Sequence, residues 1–151
     1  MPYEYVMSPA ARMAFLEGVH VGILAVEEGG RGPLAAPIWY RVVDDTVEFG
    51  ISASSTKAQL LRAAGRATLL VQDETPPYRY VSVEGPIAFV DRPYDMLAAA
   101  TRYLGPEIGA LYAAGNQDGA DTVVVVLQPE HWRTQDFSTM AEEFGGAAAG
   151  G

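Results

Sequence analysis

Apolar residues recur along this chain in short runs, separated by clusters of glycine, proline and aspartate, and that spacing predicts strands more often than helices. Ser8-Pro9 followed by Ala10 to Glu17 reads as a helix: Ser8 caps it, Pro9 suits the first turn and Gly18 ends it. Val19 to Val26 is an apolar run of strand length, and the Gly- and Pro-containing stretch from Glu27 to Pro33 turns the chain. Leu34 to Val43 reads as one further strand, Asp44-Asp45 as a turn, and Thr46 to Ser52 as the returning strand. In that last segment Val47, Phe49 and Ile51 alternate with Glu48, Gly50 and Ser52, which predicts a half-buried strand with one very small face.

A helix is expected at Lys57 to Ala64, with Thr56 and Gln59 forming a capping box and Gly65 stopping it. Ala67 to Gln72 reads as a strand and Asp73 to Pro77 as a loop. Arg79 to Asp91 is a long strand with Val81, Val83, Ile87 and Phe89 on one face, and Gly85-Pro86 predicts a bulge or bend within it. Asp91 is placed to cap a helix reaching Leu104, Gly105-Pro106 breaks it, and a second helical piece covers Glu107 to Ala113. Asp121 to Gln128 and the shorter His131 to Gln135 complete the strands. Hairpin-length turns make the sheet mostly antiparallel, and the absence of repeated βαβ units disfavours a doubly wound parallel sheet. Closure into a barrel hides the sheet edges.

Composition narrows the picture. The 151 residues suit one domain, taken as 1–144 with a Gly/Ala tail over 145–151. No apolar stretch approaches the length of a membrane span, and the first nine residues carry Glu4 but no basic residue, unlike a secretory leader. With no cysteine, disulfides and thiolate metal sites are excluded; two histidines, His20 and His131, make a poor metal set. A cytoplasmic location is the expectation. The net charge of −9 argues against nucleic-acid binding. Any anionic ligand therefore needs a local cationic pocket rather than a global field.

Candidate chemistry concentrates where Gly50-Ile51-Ser52-Ala53-Ser54-Ser55-Thr56-Lys57 runs from strand end to helix start. The first amides of a helix lack partners and carry partial positive charge, so hydroxyls and Lys57 beside them suit a phosphate. The plain alternative is an ordinary cap with a solvated lysine. Gly50 and Ser52 could let a flat ring approach the strand, and the backbone of Pro37-Ile38-Trp39-Tyr40 could meet its edge; the alternative is barrel core or interface. Tyr78-Arg79-Tyr80 presents two aromatics on one face and a cation on the other. His131-Trp132-Arg133 is a further ligand-or-packing cluster, and His20 reads as a packing residue. Neither a serine nucleophile elbow nor a carboxylate pair for acid–base work is visible, the Glu142-Glu143 pair included, so any redox chemistry belongs to a cofactor.

Three stretches taken in order resemble the pyridoxamine 5′-phosphate oxidase-like, FMN-binding split barrels, and more closely their actinobacterial flavin/deazaflavin oxidoreductase B group. They are Pro37-Ile38-Trp39-Tyr40, then Ser54-Ser55-Thr56-Lys57-Ala58 with Leu60-Leu61, then Pro76-Pro77-Tyr78-Arg79-Tyr80-Val81 running into Val83-Glu84-Gly85. The resemblance implies an antiparallel six- to seven-stranded split β-barrel with flanking helices, assembled as a homodimer with cofactor sites between subunits. It implies an oxidoreductase that uses reduced coenzyme F420, or alternatively FMN, to act on a small organic molecule; a non-catalytic flavin- or deazaflavin-binding protein is the other reading. The cofactor phosphate would sit near Ser52, Ser54 and Lys57, the ring along Pro37, Ile38 and Trp39, and Tyr78 and Tyr80 of the other subunit would close the site. Within Ser52 to Gln59 only Lys57 is cationic, with Arg62 and Arg66 further on.

Overall fold

Local sequence signals set most of the element boundaries in the computed structural model, which describes residues 5–116, 121–138 and 140. The expected tail and Glu142-Glu143 lie outside these. Helix α1 (Pro9–Glu17) starts at Ser8, whose hydroxyl accepts the Ala11 amide at 3.1 Å. Strand β1 (Gly22–Val26) pairs with β2 (Leu34–Ile38), and β3 (Arg41–Val43) pairs with β4 (Thr46–Ser52). Asp44 and Asp45 turn the β3–β4 hairpin with φ of 49° and 62°, left-handed backbone that matches the twist of paired strands. Helix α2 (Thr56–Ala64) is followed by β5 (Arg66–Asp73), β6 (Arg79–Val90), α3 (Met96–Leu104), α4 (Pro106–Gly115), β7 (Thr122–Leu127) and β8 (His131–Asp136).

The sheet is antiparallel throughout and follows the order β2-β1-β5-β6-β7-β4-β3, with β8 also on β6. Its two end strands, β2 and β3, are consecutive in sequence and separated only by Trp39-Tyr40. The sheet therefore curls until one stretch of chain joins its ends, the geometry of a split barrel. The run expected as one strand over Leu34 to Val43 is thus two strands that pair with different partners. One side chain makes the break tolerable. The Tyr103 hydroxyl accepts from the Tyr40 amide at 3.0 Å, and its own proton has the His20 carbonyl in reach at 2.7 Å and that of Tyr40 at 3.0 Å. The backbone polar groups that the strand break frees are satisfied there.

β7 and β8 lie end to end along β6, and three residues, Gln128 to Glu130, face only two, Gly85 and Pro86. This is the bulge that Gly85-Pro86 predicts. Glycine is required here: a Cβ on Gly85 would stand 1.8 Å from the Gln128 carbonyl oxygen.

Inward-facing Leu24, Leu69, Val71, Val81, Val83, Val47, Phe49 and Leu127 fill the barrel, and Leu16 and Leu61 of α1 and α2 join them. Each such side chain contributes roughly 1.5–3 kcal/mol by leaving water. Two expectations need correction. Ser55, not Thr56, caps α2, since its hydroxyl accepts the Ala58 amide at 3.2 Å; Asp95, not Asp91, caps α3 through the Ala98 amide at 3.0 Å. In both cases the sequence offers neighbouring residues of the same chemistry, and the chain direction entering the helix selects among them. No helix among the described residues is long and apolar enough to cross a membrane.

Candidate functional site

The loop from Ser52 to Thr56 is held at both ends. Its Ala53 amide donates to the Asp121 carbonyl at 2.7 Å, and its Ser55 amide and hydroxyl both donate to the Ser52 carbonyl, at 3.1 and 2.7 Å. Thr56 and Lys57 supply the first amides of α2, which have no carbonyl one turn back to bond. Lys57 is half-buried and forms no ion pair among the described residues. Folding adds a second cation that sequence spacing ranked lower: Arg62 reaches back to donate to the Ala53 carbonyl at 3.1 Å, its guanidinium 4.4 Å over the Phe89 ring. Arg66, by contrast, is tied to Glu130 at 2.9 Å, away from the loop.

Ser52 and Ser54 are brought together, their hydroxyl oxygens 3.1 Å apart, and both donate to one carboxylate oxygen of Asp121, that from Ser54 at 2.8 Å. These bonds hold the Asp121 carboxyl below the usual carboxylate range, Ser52 contributing most. A carboxylate thus rests where the hydroxyls would receive a phosphate. The α2 amides, Lys57 and Arg62 suit a phosphate group; the two hydroxyls suit it once Asp121 releases them. Asp121 carries no local sequence signal, because it meets the serines across 69 and 67 residues of chain.

The small face of β4 also has an occupant from within the chain. A Cβ on Gly50 would lie 2.6 Å from the Tyr94 ring, so the flat group that the glycine admits is Tyr94. On the same face of β4, expected to be small and only half-buried, Glu48 is 6% exposed and held by Arg41 and Arg92.

Pro37 is exposed on β2, whose second edge bears no other strand among the described residues, while the Ile38 side chain is buried in the core. Trp39 turns toward the helices, stacked on Tyr103 with centroids 5.0 Å apart and planes 5° apart, and tilted against Tyr112 at 5.5 Å. Tyr40 is core, its hydroxyl donating to the Leu16 carbonyl at 2.8 Å, and burial raises its pKa well above the ordinary phenol value. At the start of β6, Tyr78 is exposed and Tyr80 half-buried, and no hydrogen bond or ring contact joins either to the Ser52–Lys57 loop. Arg79 between them clamps Asp73 at 3.0 Å and lies over Phe15. His20 stacks on Phe15 at 4.6 Å and burial lowers its pKa, as suits a packing residue; His131 is exposed beside Glu130. Trp132 packs against the core under Arg12.

No protein-family model and no curated protein matches the sequence. Solved structures do. A conserved hypothetical protein of Mycobacterium tuberculosis, Rv2991, superposes with a TM-score of 0.74 at 27% identity, over 91% of this chain and 89% of its own. A structure described as an F420 reductase gives 0.57 at 23% identity, over 80% and 94%. A candidate pyridoxamine 5′-phosphate oxidase from Listeria innocua gives 0.60 at 17%, over 82% and 94%. At such identities the last two speak for the fold alone. Together with a sheet whose ends are joined through Trp39-Tyr40, these likenesses show that the chain has a split-barrel fold like theirs.

Proposed function

We propose that this chain is an oxidoreductase that binds reduced coenzyme F420 and delivers hydride to a small organic acceptor. The observation that carries the reading is the start of α2, where two free amides stand with Lys57 in the first turn and Arg62 bonded back to the Ala53 carbonyl, in a chain of net charge −9. Fold likeness to an F420 reductase supports the choice of cofactor. The α2 amides and Lys57 would hold the phosphate, and Arg62 would add charge at its side. Pro37 and the open edge of β2 would lie along the ring and fix its plane. The bound group would supply the hydride; the protein orients it and excludes water.

The assembly that fits this reading is a homodimer. Val21, Ile23, Leu70 and Tyr78 leave a partly exposed apolar surface on the outer side of β1 and β5 and at the start of β6, and a second subunit would cover it. Tyr78 and Tyr80, remote from the loop within one chain, would then complete the partner's site.

Titration of the purified protein with coenzyme F420 and with FMN, followed by fluorescence, tests the reading. F420 should bind more tightly, and Lys57→Ala should weaken it by about 10- to 150-fold, the worth of one charge-assisted contact. Equal affinity of wild type and variant would move the phosphate elsewhere. Preferential FMN binding would favour an FMN-dependent enzyme. Tight binding without turnover on any acceptor would leave a cofactor-binding protein.

A further inference from the structure

Beneath α3, between that helix and the β3–β4 hairpin, lies a cavity of about 320 Å³, within the size range of small-molecule sites. Its polar wall is built on Glu48. One carboxylate oxygen accepts from Arg41, at 3.2 Å from Nε and 3.1 Å from the terminal nitrogen; the other accepts from Arg92. The two arginine side chains remain 49% and 39% exposed. Glu48 occupies three of their ten donors, so most of the guanidinium capacity is unused by it. Arg102 forms another part of the lining. One terminal nitrogen donates to the Glu17 and Gly18 carbonyls at 3.0 and 2.9 Å, whereas its Nε–H is buried with no partner among the described residues.

Three arginine side chains thus line the cavity beside two carboxylates, with the Arg41 and Arg92 guanidiniums on Glu48 and Asp95 engaged in capping α3. The lining carries a net +1 in a chain of −9, a local cationic pocket of the kind an anionic ligand needs. The remaining walls are flat. Trp39 and Tyr103 are stacked, and Tyr94 lies against Gly50. Planar guanidinium forks recognise carboxylates by paired hydrogen bonds, and ring walls favour a flat, apolar body.

We propose that this cavity is a binding site for a small aromatic carboxylate, with the carboxylate on the Arg41–Arg92 side and the ring against Trp39 and Tyr94. The ligand needs no redox cofactor, so the site stands apart from the reading of α2 given above.

The chain has two tryptophans, and Trp39 alone lines the cavity. Trp132→Phe makes Trp39 the only indole reporter. Titration of that variant with benzoate should give a saturable fluorescence change. Neutral benzamide should bind about tenfold more weakly or worse, since a charge-assisted pair is lost. Ala99→Leu, which fills the cavity from α3, and Arg92→Gln should each abolish saturation at benzoate concentrations that saturate the parent; thermal melts identify any variant that fails to fold. Lys57→Ala should leave benzoate affinity unchanged. Absence of a saturable change up to about 10 mM benzoate overturns the proposal, as does equal affinity for benzamide. Undiminished binding in folded Ala99→Leu also overturns it, because the ligand then sits elsewhere.

Discussion

Asp121 meets the Ser52 and Ser54 hydroxyls through a single oxygen, and its charge acts on anything bound at the start of α2. Asp121→Asn keeps an oxygen for the serines and removes the charge, so it isolates the electrostatic effect from the loop geometry. Phosphate-bearing ligands should bind the variant roughly three- to tenfold more tightly at low salt, with the gain shrinking as salt screens the exposed site. The pH dependence follows from the lowered pKa of Asp121. Its hydroxyl bonds add stability that is present above the ordinary carboxylate pKa and lost as pH falls through the lower folded value. Between pH 5 and 8 the group stays ionised, and the advantage of the variant should be constant. A gain that vanishes within this interval would show that Asp121 is not the competing charge; isothermal titration with sulfate, a dianion at both ends of the range, decides it.

Elements interrupt or continue according to backbone satisfaction more than to propensity. β6 runs through Gly85-Pro86 because the bulge of Gln128 to Glu130 keeps the ladder going: the Gln128 amide donates to the Pro86 carbonyl and the Glu130 amide to that of Glu84, both at 2.9 Å. Gly85→Ala forces a methyl into the Gln128 carbonyl and should cost about 3 kcal/mol, or roughly 6–12 °C in melting midpoint for a chain of this size. Gly29→Ala, with nothing within 4 Å of the added carbon, serves as the control and should barely shift the midpoint. Matching losses in the two variants, measured by thermal and urea unfolding, would mean that the bulge relaxes around the methyl. The strand break at Trp39-Tyr40 follows the same logic. Two aromatics favour continuing a strand, and only a phenol 63 residues away supplies the alternative partners.

At the scale of the molecule, the proposed dimer places a demand on the outer face of β1, β5 and β6. Stable interfaces bury roughly 1,600 Å² in total, and they tolerate no unpaired charge at their centre. Leu70 is 37% exposed in the single chain, so Leu70→Asp should leave the monomer folded while breaking the pairing. Light scattering at micromolar concentration should give twice the chain mass for wild type and the single mass for the variant. A monomeric wild type would remove the two-subunit site, and with it the proposed roles of Tyr78 and Tyr80.

Much of the fold was legible along the chain. Alternation gave β4 its observed limits of Thr46 and Ser52, the Gly85-Pro86 pair marked the bulge, and hairpin turns made the sheet antiparallel. The Ser-Ser-Thr-Lys run located a helix start with free amides, because that chemistry is written in consecutive residues. Tertiary structure alone decided what fills the small places that the sequence leaves open. Tyr94 lies on Gly50, Asp121 holds Ser52 and Ser54, Tyr103 takes the backbone at Tyr40, and Arg92 neutralises Glu48. Periodicity reports which face of an element is apolar or small; it carries no information about which distant residue arrives there. That partner is chosen by how the closed sheet and the α3–α4 pair pack, where separations of 44 to 69 residues become contacts.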